Sequence, residues 1–217
     1  MIETKNLTKV YKRGIESVYA VKDVTLSIKK GEFVSIVGQS GSGKTTLLQI
    51  IGCMDMATSG ILKINDNEIQ NSSNKTMTKL RRETFGFVFQ QFYLMPGLTV
   101  YENMVMPLLF SRNKSDKAYV DSLIEIVGLK GKEYNLPSQI SGGEMQRVAI
   151  ARSLINKPQC ILADEPTGNL DSSNSEKIFE LFSRLNETGL TIIMVTHNQD
   201  LAKRTKRIIE IKDGAIR

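Results

Sequence analysis

Cysteine and histidine are scarce in this sequence: it holds two of the first, Cys53 and Cys160, and one of the second, His197. The cysteines lie far apart in apolar neighbourhoods, and no metal-type spacing of cysteine and histidine occurs. That excludes a disulfide framework and a zinc cluster and leaves reduced, buried core thiols. No apolar run approaches the ~20 residues that a membrane span needs, and the N-terminus lacks the apolar core of a signal peptide. The chain is therefore expected neither to be secreted nor to cross a membrane by itself, and its thiols suit the cytoplasm. Internal repeats, linkers and low-complexity segments are missing too, so the 217 residues are expected to form one domain with a sizeable core.

The formal net charge is +6, which admits nucleic acid or an anionic membrane surface as a partner. The basic residues are scattered, however, and the densest group is only Lys203-Arg204 with Lys206-Arg207. A solvated basic face accounts for them more simply.

Against this background one stretch stands out: Gly38-Gln39-Ser40-Gly41-Ser42-Gly43-Lys44-Thr45-Thr46. It matches G-x-x-x-x-G-K-[ST], the phosphate-binding loop. Phe33–Val37 before it is β-branched and apolar, as a buried strand would be, and Leu47-Leu48-Gln49-Ile50-Ile51 after it suits a helix packing back on that strand. Glycines let backbone N–H groups face phosphate oxygens with no Cβ in the way, and a helix N-terminus adds partial positive charge. Lys44 would reach the outer phosphates, and the Thr45 hydroxyl would ligate Mg²⁺. The sequence therefore predicts nucleoside triphosphate binding.

Along the rest of the chain, residues 1–37 read as short strands, with alternation at Ile2, Thr4, Leu7 and again at Val24, Leu26, Ile28, and with a turn at Tyr11–Gly14. Strand 60–64 enters a hairpin at Asn65-Asp66-Asn67, and a helix over 76–82 leads to strand Phe85–Phe89. From about 92 to 155 helical spacing takes over, as at Val120, Leu123, Ile124 and Val127, with Pro96, Pro107 and Pro137 between the pieces. A continuous apolar strand follows at 160–163, then a helix with Ile178, Leu181, Phe182 and Leu185 on one face. Strand Thr191–Val195, a short helix near 199–204, strand 207–211 and a hairpin at Asp213-Gly214 complete the pattern.

Asp164 and Glu165 end the buried strand 160–163, and ligands bind at the C-terminal ends of strands in α/β sheets. Asp164 suits a metal partner through water, beside Thr45, whereas Glu165 would orient and deprotonate an attacking water. His197 follows strand Thr191–Val195 and Gln90 follows strand Phe85–Phe89, so both belong to the same edge. A lone histidine is usually structural; its place at this edge argues for function. Ser141-Gly142-Gly143-Glu144 opens an apolar-periodic helix, a second candidate anion site that on its own is only a capped helix. Phe92-Tyr93-Leu94-Met95-Pro96, with Val100, Tyr101, Met104 and Met106, either grips a partner helix or packs the helical insertion on the core.

Taken together, these stations resemble the nucleotide-binding subunit of ATP-binding-cassette (ABC) transporters over the whole chain. Gly38–Thr45 looks like the Walker A loop, Gln90 the Q-loop, Ser141-Gly142-Gly143-Glu144 the signature, and Ile161–Glu165 Walker B with its catalytic glutamate. Asn169-Leu170-Asp171 is similar to the D-loop, His197 to the switch histidine, and Tyr11 to the aromatic that stacks on adenine. Gly86–Phe92 and Ala163–Asp171 resemble the lipoprotein-release and macrolide-exporter group in particular, which also holds antimicrobial-peptide resistance transporters and a cell-division member. Ile140 stands where leucine usually precedes the signature serine, and Glu144 where glutamine is also found.

The resemblance implies an α/β P-loop NTPase core over 1–90 and 156–217, with an N-terminal antiparallel β subdomain and an inserted helical signature subdomain at 91–155. It implies an ATPase using ATP and Mg²⁺, with Glu165, His197 and Gln90 catalytic and the metal at Thr45, Gln90 and Asp164. ATP would contact Tyr11, residues 38–46 and residues 141–144. It implies a homodimer, formed head to tail on ATP binding, and a separate transmembrane permease docked near Phe92–Met106, at the cytoplasmic face of the membrane. Hydrolysis would drive export, lipoprotein release or peptide resistance. One alternative is a regulatory ATPase gating an envelope hydrolase. A nucleic-acid-linked cassette of the chromosome-maintenance kind is disfavoured and no nucleic acid is expected, because fewer than a hundred positions, none in heptads, separate Lys44 from Ser141. A two-cassette translation factor would need a second phosphate loop.

Overall fold

Short β-branched runs and amphipathic helices alternate along the chain, and each run finds its place in one of two sheets. The computed structural model describes residues 1–14, 16–70, 72–111 and 116–217. The first sheet has the order β2-β1-β4-β5, all antiparallel, from β1 (Ile2–Arg13), β2 (Glu16–Ile28), β4 (Ser59–Ile64) and β5 (Asn67–Glu68). The second has the order β10-β9-β3-β8-β7-β6, from β3 (Phe33–Val37), β6 (Phe85–Phe89), β7 (Cys160–Asp164), β8 (Thr191–Val195), β9 (Arg207–Lys212) and β10 (Ala215–Ile216). Its five inner pairings are parallel except β9 with β10, which closes the chain as an antiparallel edge. Tyr11 lies in β1, paired with Val18, and not in the turn the sequence suggested. The strand persists because pairing with β2 continues up to Arg13, a tertiary contact that local turn signals do not report.

Among the described residues, seven α-helices surround the second sheet: α1 (Lys44–Ile51), α2 (Asn74–Glu83), α3 (Val100–Val105), α4 (Lys117–Ile126), α5 (Gly142–Leu154), α6 (Ser172–Glu187) and α7 (Gln199–Lys203). The side-chain alternation of its strands divides the core in two. Phe33, Val88, Ile161, Ala163, Ile192 and Met194 face a cluster with α3, α4, α5 and α6. Val34, Ile36, Cys160, Leu162, Ile193 and Val195 face a second cluster with α1 and the antiparallel sheet. β3, β7 and β8 thus carry apolar residues on both faces, as expected for parallel strands covered on both sides. Cys53 and Cys160 are free and buried in this second cluster, where burial pushes the Cys53 thiol up to about 11 and the Cys160 thiol higher still.

The segment 92–106 splits between core and surface. Val100 and Met104 are fully buried, and Leu94 and Tyr101 pack on the same cluster, while Tyr93 and Met95 stay exposed. Of the two alternatives, Val100 and Met104 thus take the packing one, and Tyr93 and Met95 stay available to a partner. The basic residues near the C-terminus are held within the chain: Arg204 pairs with Glu176, Arg207 with Glu32, and Lys203 with Asp200, while Lys206 donates to the Gly31 carbonyl. Among the described residues, no helix is long and apolar enough to cross a membrane.

Phe182 is fully buried at the centre of the cluster that seats α6 on the sheet. Phe182→Ala is expected to cost about 3–5 kcal/mol through lost burial and the cavity left behind. Chemical denaturation should show it as a lower midpoint with little change in slope.

Candidate functional site

β3, β8, β7 and β6 are neighbours in that order, and all four run the same way. Their C-terminal ends therefore release four segments along one edge. β3 gives the loop 38–43, β8 gives Thr196 and His197, β7 ends at Asp164 and gives Glu165, and β6 gives Gln90. Residues spread over 160 positions of sequence meet there because the register is tight: Ile36 lies opposite Val195, Val195 opposite Asp164, and Asp164 opposite Phe89.

The loop itself is set by its backbone. Gly43 has φ +102°, and a Cβ there would fall 2.0 Å from the Ala20 carbonyl oxygen of β2, so only glycine fits. Ser42 and Gly214 are joined by a main-chain hydrogen bond of 3.0 Å, and Gly214 accepts from Lys22. The antiparallel sheet and the terminal hairpin therefore brace the loop from outside. Lys44 is nearly buried and donates to the carbonyls of Gly38 (2.9 Å) and Gln39 (2.8 Å).

The start of α1 differs from that of every other described α-helix. Ser73, Thr99, Asp116, Ser141, Asp171 and Asn198 cap the other six with a side-chain oxygen, whereas Gly43 offers none. The buried Ser42 hydroxyl is also without a partner among the described residues. Uncapped N–H groups, an orphaned hydroxyl and a lysine together form a cradle for a phosphate chain.

Thr45 donates to Asp164 Oδ1 at 3.1 Å, joining α1 to β7 across the intervening β8. Burial raises the Asp164 carboxyl above its usual value; the Thr45 bond and the Lys44 charge oppose this, and the neighbouring Glu165 charge adds to it. Glu165 sits at φ +48°, uncommon for a residue with a Cβ. Its N–H is bonded to the Val195 carbonyl, and its Oε2 accepts from the His197 main-chain N–H (3.2 Å) and faces His197 Nδ1 at 2.9 Å. The histidine ring is 71% exposed while Glu165 is largely covered, so the ring projects from the edge and the carboxylate is held behind it.

Gln90 and Asn169 form a reciprocal pair: Gln90 Nε2 donates to Asn169 Oδ1 (3.0 Å), and Asn169 Nδ2 donates to the Gln90 carbonyl (3.1 Å). Gly168 permits this, since a Cβ on it would lie 2.8 Å from Gln90 Nε2. On the far side of the loop, Tyr11 donates to Asp55 Oδ2 at 2.7 Å, and Lys9 bonds Asp55 Oδ1 at 2.6 Å while lying 4.9 Å from the Tyr11 ring centre. The tyrosine is thereby fixed with part of its ring exposed.

Ser141 and Glu144 form a capping box at the start of α5. The Glu144 carboxylate accepts from the Ser141 N–H and hydroxyl and pairs with Lys132, which together hold it down at about 2. It is therefore engaged at its own helix end, where Gly142 is half-buried and Gly143 is packed against Asn174, a Cβ on it falling 2.6 Å from Asn174 Oδ1. Of the sequence candidates, 38–46, Asp164, Glu165, His197 and Gln90 converge on one edge, and Tyr11 is braced beside the loop. Residues 141–144 open a separate helix.

Sequence reading passed over Gln146, Asp55 and Lys9. Gln146 recurs with Gly143, Ala149, Ile150 and Ser153 at helical spacing on the buried side of α5, and a lone long polar residue in that stripe was the available signal. The Asp55 brace had no local signature, because its partners lie more than forty positions away.

With this geometry the chain is a nucleotide-binding cassette, and comparison with known proteins agrees. The family model for ABC transporters matches residues 21–168, and the chain belongs to that family. It is similar to the ABC transporter ATP-binding protein MJ0796 of Methanocaldococcus jannaschii, 49% identical over all of this chain and 95% of that protein. It is also similar to the macrolide export ATP-binding/permease protein MacB of Mannheimia succiniciproducens, 46% identical over the whole chain. The chain spans about a third of the length of that relative, 34%. Among solved structures, the dimeric post-hydrolysis state of the MJ0796 cassette bound to ADP and Pi superposes with a TM-score of 0.90 at 46% identity, covering 100% of this chain and 96% of that one.

The Glu144 pairing gives a pH test. Because its carboxyl titrates lower in the folded chain than its usual 4.5, the stability it contributes is present above about pH 5 and lost as pH falls toward about 2. Glu144→Gln keeps the cap but not the charge, and with Lys132 partly exposed the loss at pH 7 is expected to be about 1 kcal/mol. Urea midpoints for the two proteins should differ at pH 7 and converge near pH 2.

Proposed function

We propose that this chain binds and hydrolyses MgATP and that it works as a homodimer, formed on ATP binding, that drives a transmembrane permease from the cytoplasmic face of the membrane. The observation that carries the proposal is the shared edge: the uncapped α1 with Lys44, the Thr45–Asp164 contact and the Glu165–His197 pair stand side by side at the ends of adjacent strands.

The chemistry follows from those groups. The N–H groups of the loop and of the first turn of α1 hold phosphate oxygens, and Lys44 exchanges its two loop carbonyls for the outer phosphates. Mg²⁺ would be held by the Thr45 hydroxyl and the Asp164 carboxylate and would neutralise charge on the phosphates. Among the described residues, no group of three or more Cys, His, Asp or Glu could hold a metal on its own, which matches a cation that takes most of its ligands from phosphate and water. Glu165 accepts the proton of the attacking water, and His197 fixes its carboxylate while presenting its ring toward the γ-phosphate position. Tyr11 offers its ring to the base. Residues 141–144 of one copy would close the site of the other, bringing a second helix N-terminus to the phosphates, with 91–155 moving as a unit.

The permease would dock in a groove of about 560 Å³ beside Gln90, lined by Phe85, Phe87, Phe89, Tyr93, Met106 and Phe110 among others. This keeps the exposed half of the 92–106 segment and moves the rest of the surface onto β6. A helix seated there lies against the strand that carries Gln90, a direct route from nucleotide to membrane. A relative supports the partner: MacB is a macrolide export ATP-binding/permease protein. The substrate is then chosen by the permease, with export, lipoprotein release and peptide resistance as the candidates.

Glu165→Gln is expected to bind MgATP normally, to hydrolyse it about 10²-fold more slowly or worse, and to accumulate as a dimer with ATP on size exclusion. Turnover near that of the unmodified chain would overturn the assignment. For the groove, Tyr93→Ser should leave melting temperature and basal ATPase intact while weakening copurification of the permease several-fold. A fall in both stability and basal turnover would instead make Tyr93 a core residue.

A further inference from the structure

Gln146 is fully buried on α5, and its side chain reaches out of the helix to two places at once. Its Nε2 donates to the Pro166 carbonyl at 2.6 Å and to the Phe89 carbonyl at 3.2 Å. Pro166 is the residue after Glu165, and Phe89 is the residue before Gln90. A side-chain amide has two N–H donors, and both are used here; turning the amide over would set its oxygen against two carbonyls, so the orientation is determined by the partners. The remaining Oε1 is buried with no partner among the described residues, an unfavourable arrangement that a plain packing role would not require.

The surroundings make the tie directional. Glu165 is held in a left-handed conformation by bonds to Val195 and His197, so the path of the chain at Pro166 fixes where the carboxylate points. Gln90 is paired with Asn169, four residues past Glu165, and Gly168 must stay free of a Cβ for that pair to form. Gly142, at the start of the same helix as Gln146, approaches Leu170 and Phe92. The segments 89–92, 142–146 and 165–170 are thus one connected cluster, and Gln146 is the side chain of α5 bonded to both of the others.

We propose that Gln146 is a positioning residue for ATP hydrolysis: its amide fixes the separation of the segments bearing Glu165 and Gln90 and links both to the helix whose first turn carries Ser141. The inference rests on the function proposed above. A nucleotide held by residues 141–144 of one copy would pull on α5, and Gln146 would pass that displacement to the general base and the Q-loop of the same copy. Contact at one composite site would then be felt at the other.

The test uses the full chain, four single variants and one double variant. Gln146→Met keeps length and burial but has no donors, and Gln146→Asn keeps the donors but is too short to span both carbonyls. Ala149→Gly loosens the same buried face of α5 without touching the amide. Glu165→Gln is the reference for loss of the base. Both Gln146 variants are expected to bind ATP within about twofold of the unmodified chain and to lose about tenfold in kcat, since small misplacement of a catalytic group is enough for that. Ala149→Gly should lower the melting temperature comparably and keep kcat. Gln146→Met combined with Glu165→Gln should lose clearly less than the product of the two single losses, because the amide acts in part through that carboxylate; a fully multiplicative loss would overturn the link to Glu165. If Gln146→Met does not fold, the Asn variant decides. A wild-type kcat in either folded Gln146 variant, or kcat losses that merely track melting temperature across all three α5 variants, would overturn the positioning role. If instead the unmodified chain hydrolysed no ATP, or Glu165→Gln were fully active, the proposed function itself would fall.

Discussion

The hydrogen bond from Thr45 to Asp164 is where this structure is held to its purpose. It joins the first turn of α1 to the end of β7, and β8 lies between the two strands concerned. For that bond to exist, β3, β8 and β7 must keep their order and register, and α1 must start at Thr45's neighbour and nowhere else. The order in turn needs apolar residues on both faces of three central strands, which the two core clusters supply. A slip of one residue in β7 would send Asp164 to the opposite face and bring Ala163 or Glu165 into its place. Function and core packing are therefore specified by the same alternation.

Electrostatics divides the edge into unlike parts. Asp164 is drawn toward the neutral form by burial, with the adjacent Glu165 charge adding to this, and is kept in check by Thr45 and Lys44. Such a carboxylate gains much from a cation placed on it, because the cation's charge favours the ionised form that burial disfavours. Glu165 is turned away by its left-handed backbone and engaged by His197. Two carboxylates adjacent in sequence thus acquire different surroundings through one backbone angle.

Much of this was legible in the sequence. Phe33–Val37, Phe85–Phe89 and Thr191–Val195 match the observed strands end to end, because short apolar runs flanked by glycine or polar turns leave little choice. The loop motif, Asp164, Glu165, His197 and Gln90 were found because each sits at a strand's C-terminal end, a position that pattern alone can mark. Whatever depended on distant pairing was hidden. The extension of β1 through Tyr11 comes from β2, the burial of Val100 and Met104 from packing on α5 and the sheet, and the Lys9–Asp55–Tyr11 brace from residues over forty positions apart. Gln146 shows the same limit: its helix was evident, but its two carbonyl partners come from strand ends 57 and 20 positions away.

The two helix starts proposed to face phosphate, those of α1 and α5, are completed in opposite ways. α5 carries its own cap: Glu144 accepts from the Ser141 N–H, Ser141 accepts from the Glu144 N–H, and Lys132 secures the carboxylate. That helix start is formed whether or not a nucleotide is near, which suits a surface presented to another copy. α1 has no cap, and its loop is held by Lys44 bonded back to Gly38 and Gln39. Its N–H groups are therefore satisfied only by water or a ligand, and its lysine is on loan to two carbonyls. Binding at α1 exchanges contacts within the loop for contacts with phosphate, whereas binding at α5 adds contacts to an end already built. A nucleotide should on these grounds engage α1 first and recruit α5 second, which is the order a dimer closed by ATP requires.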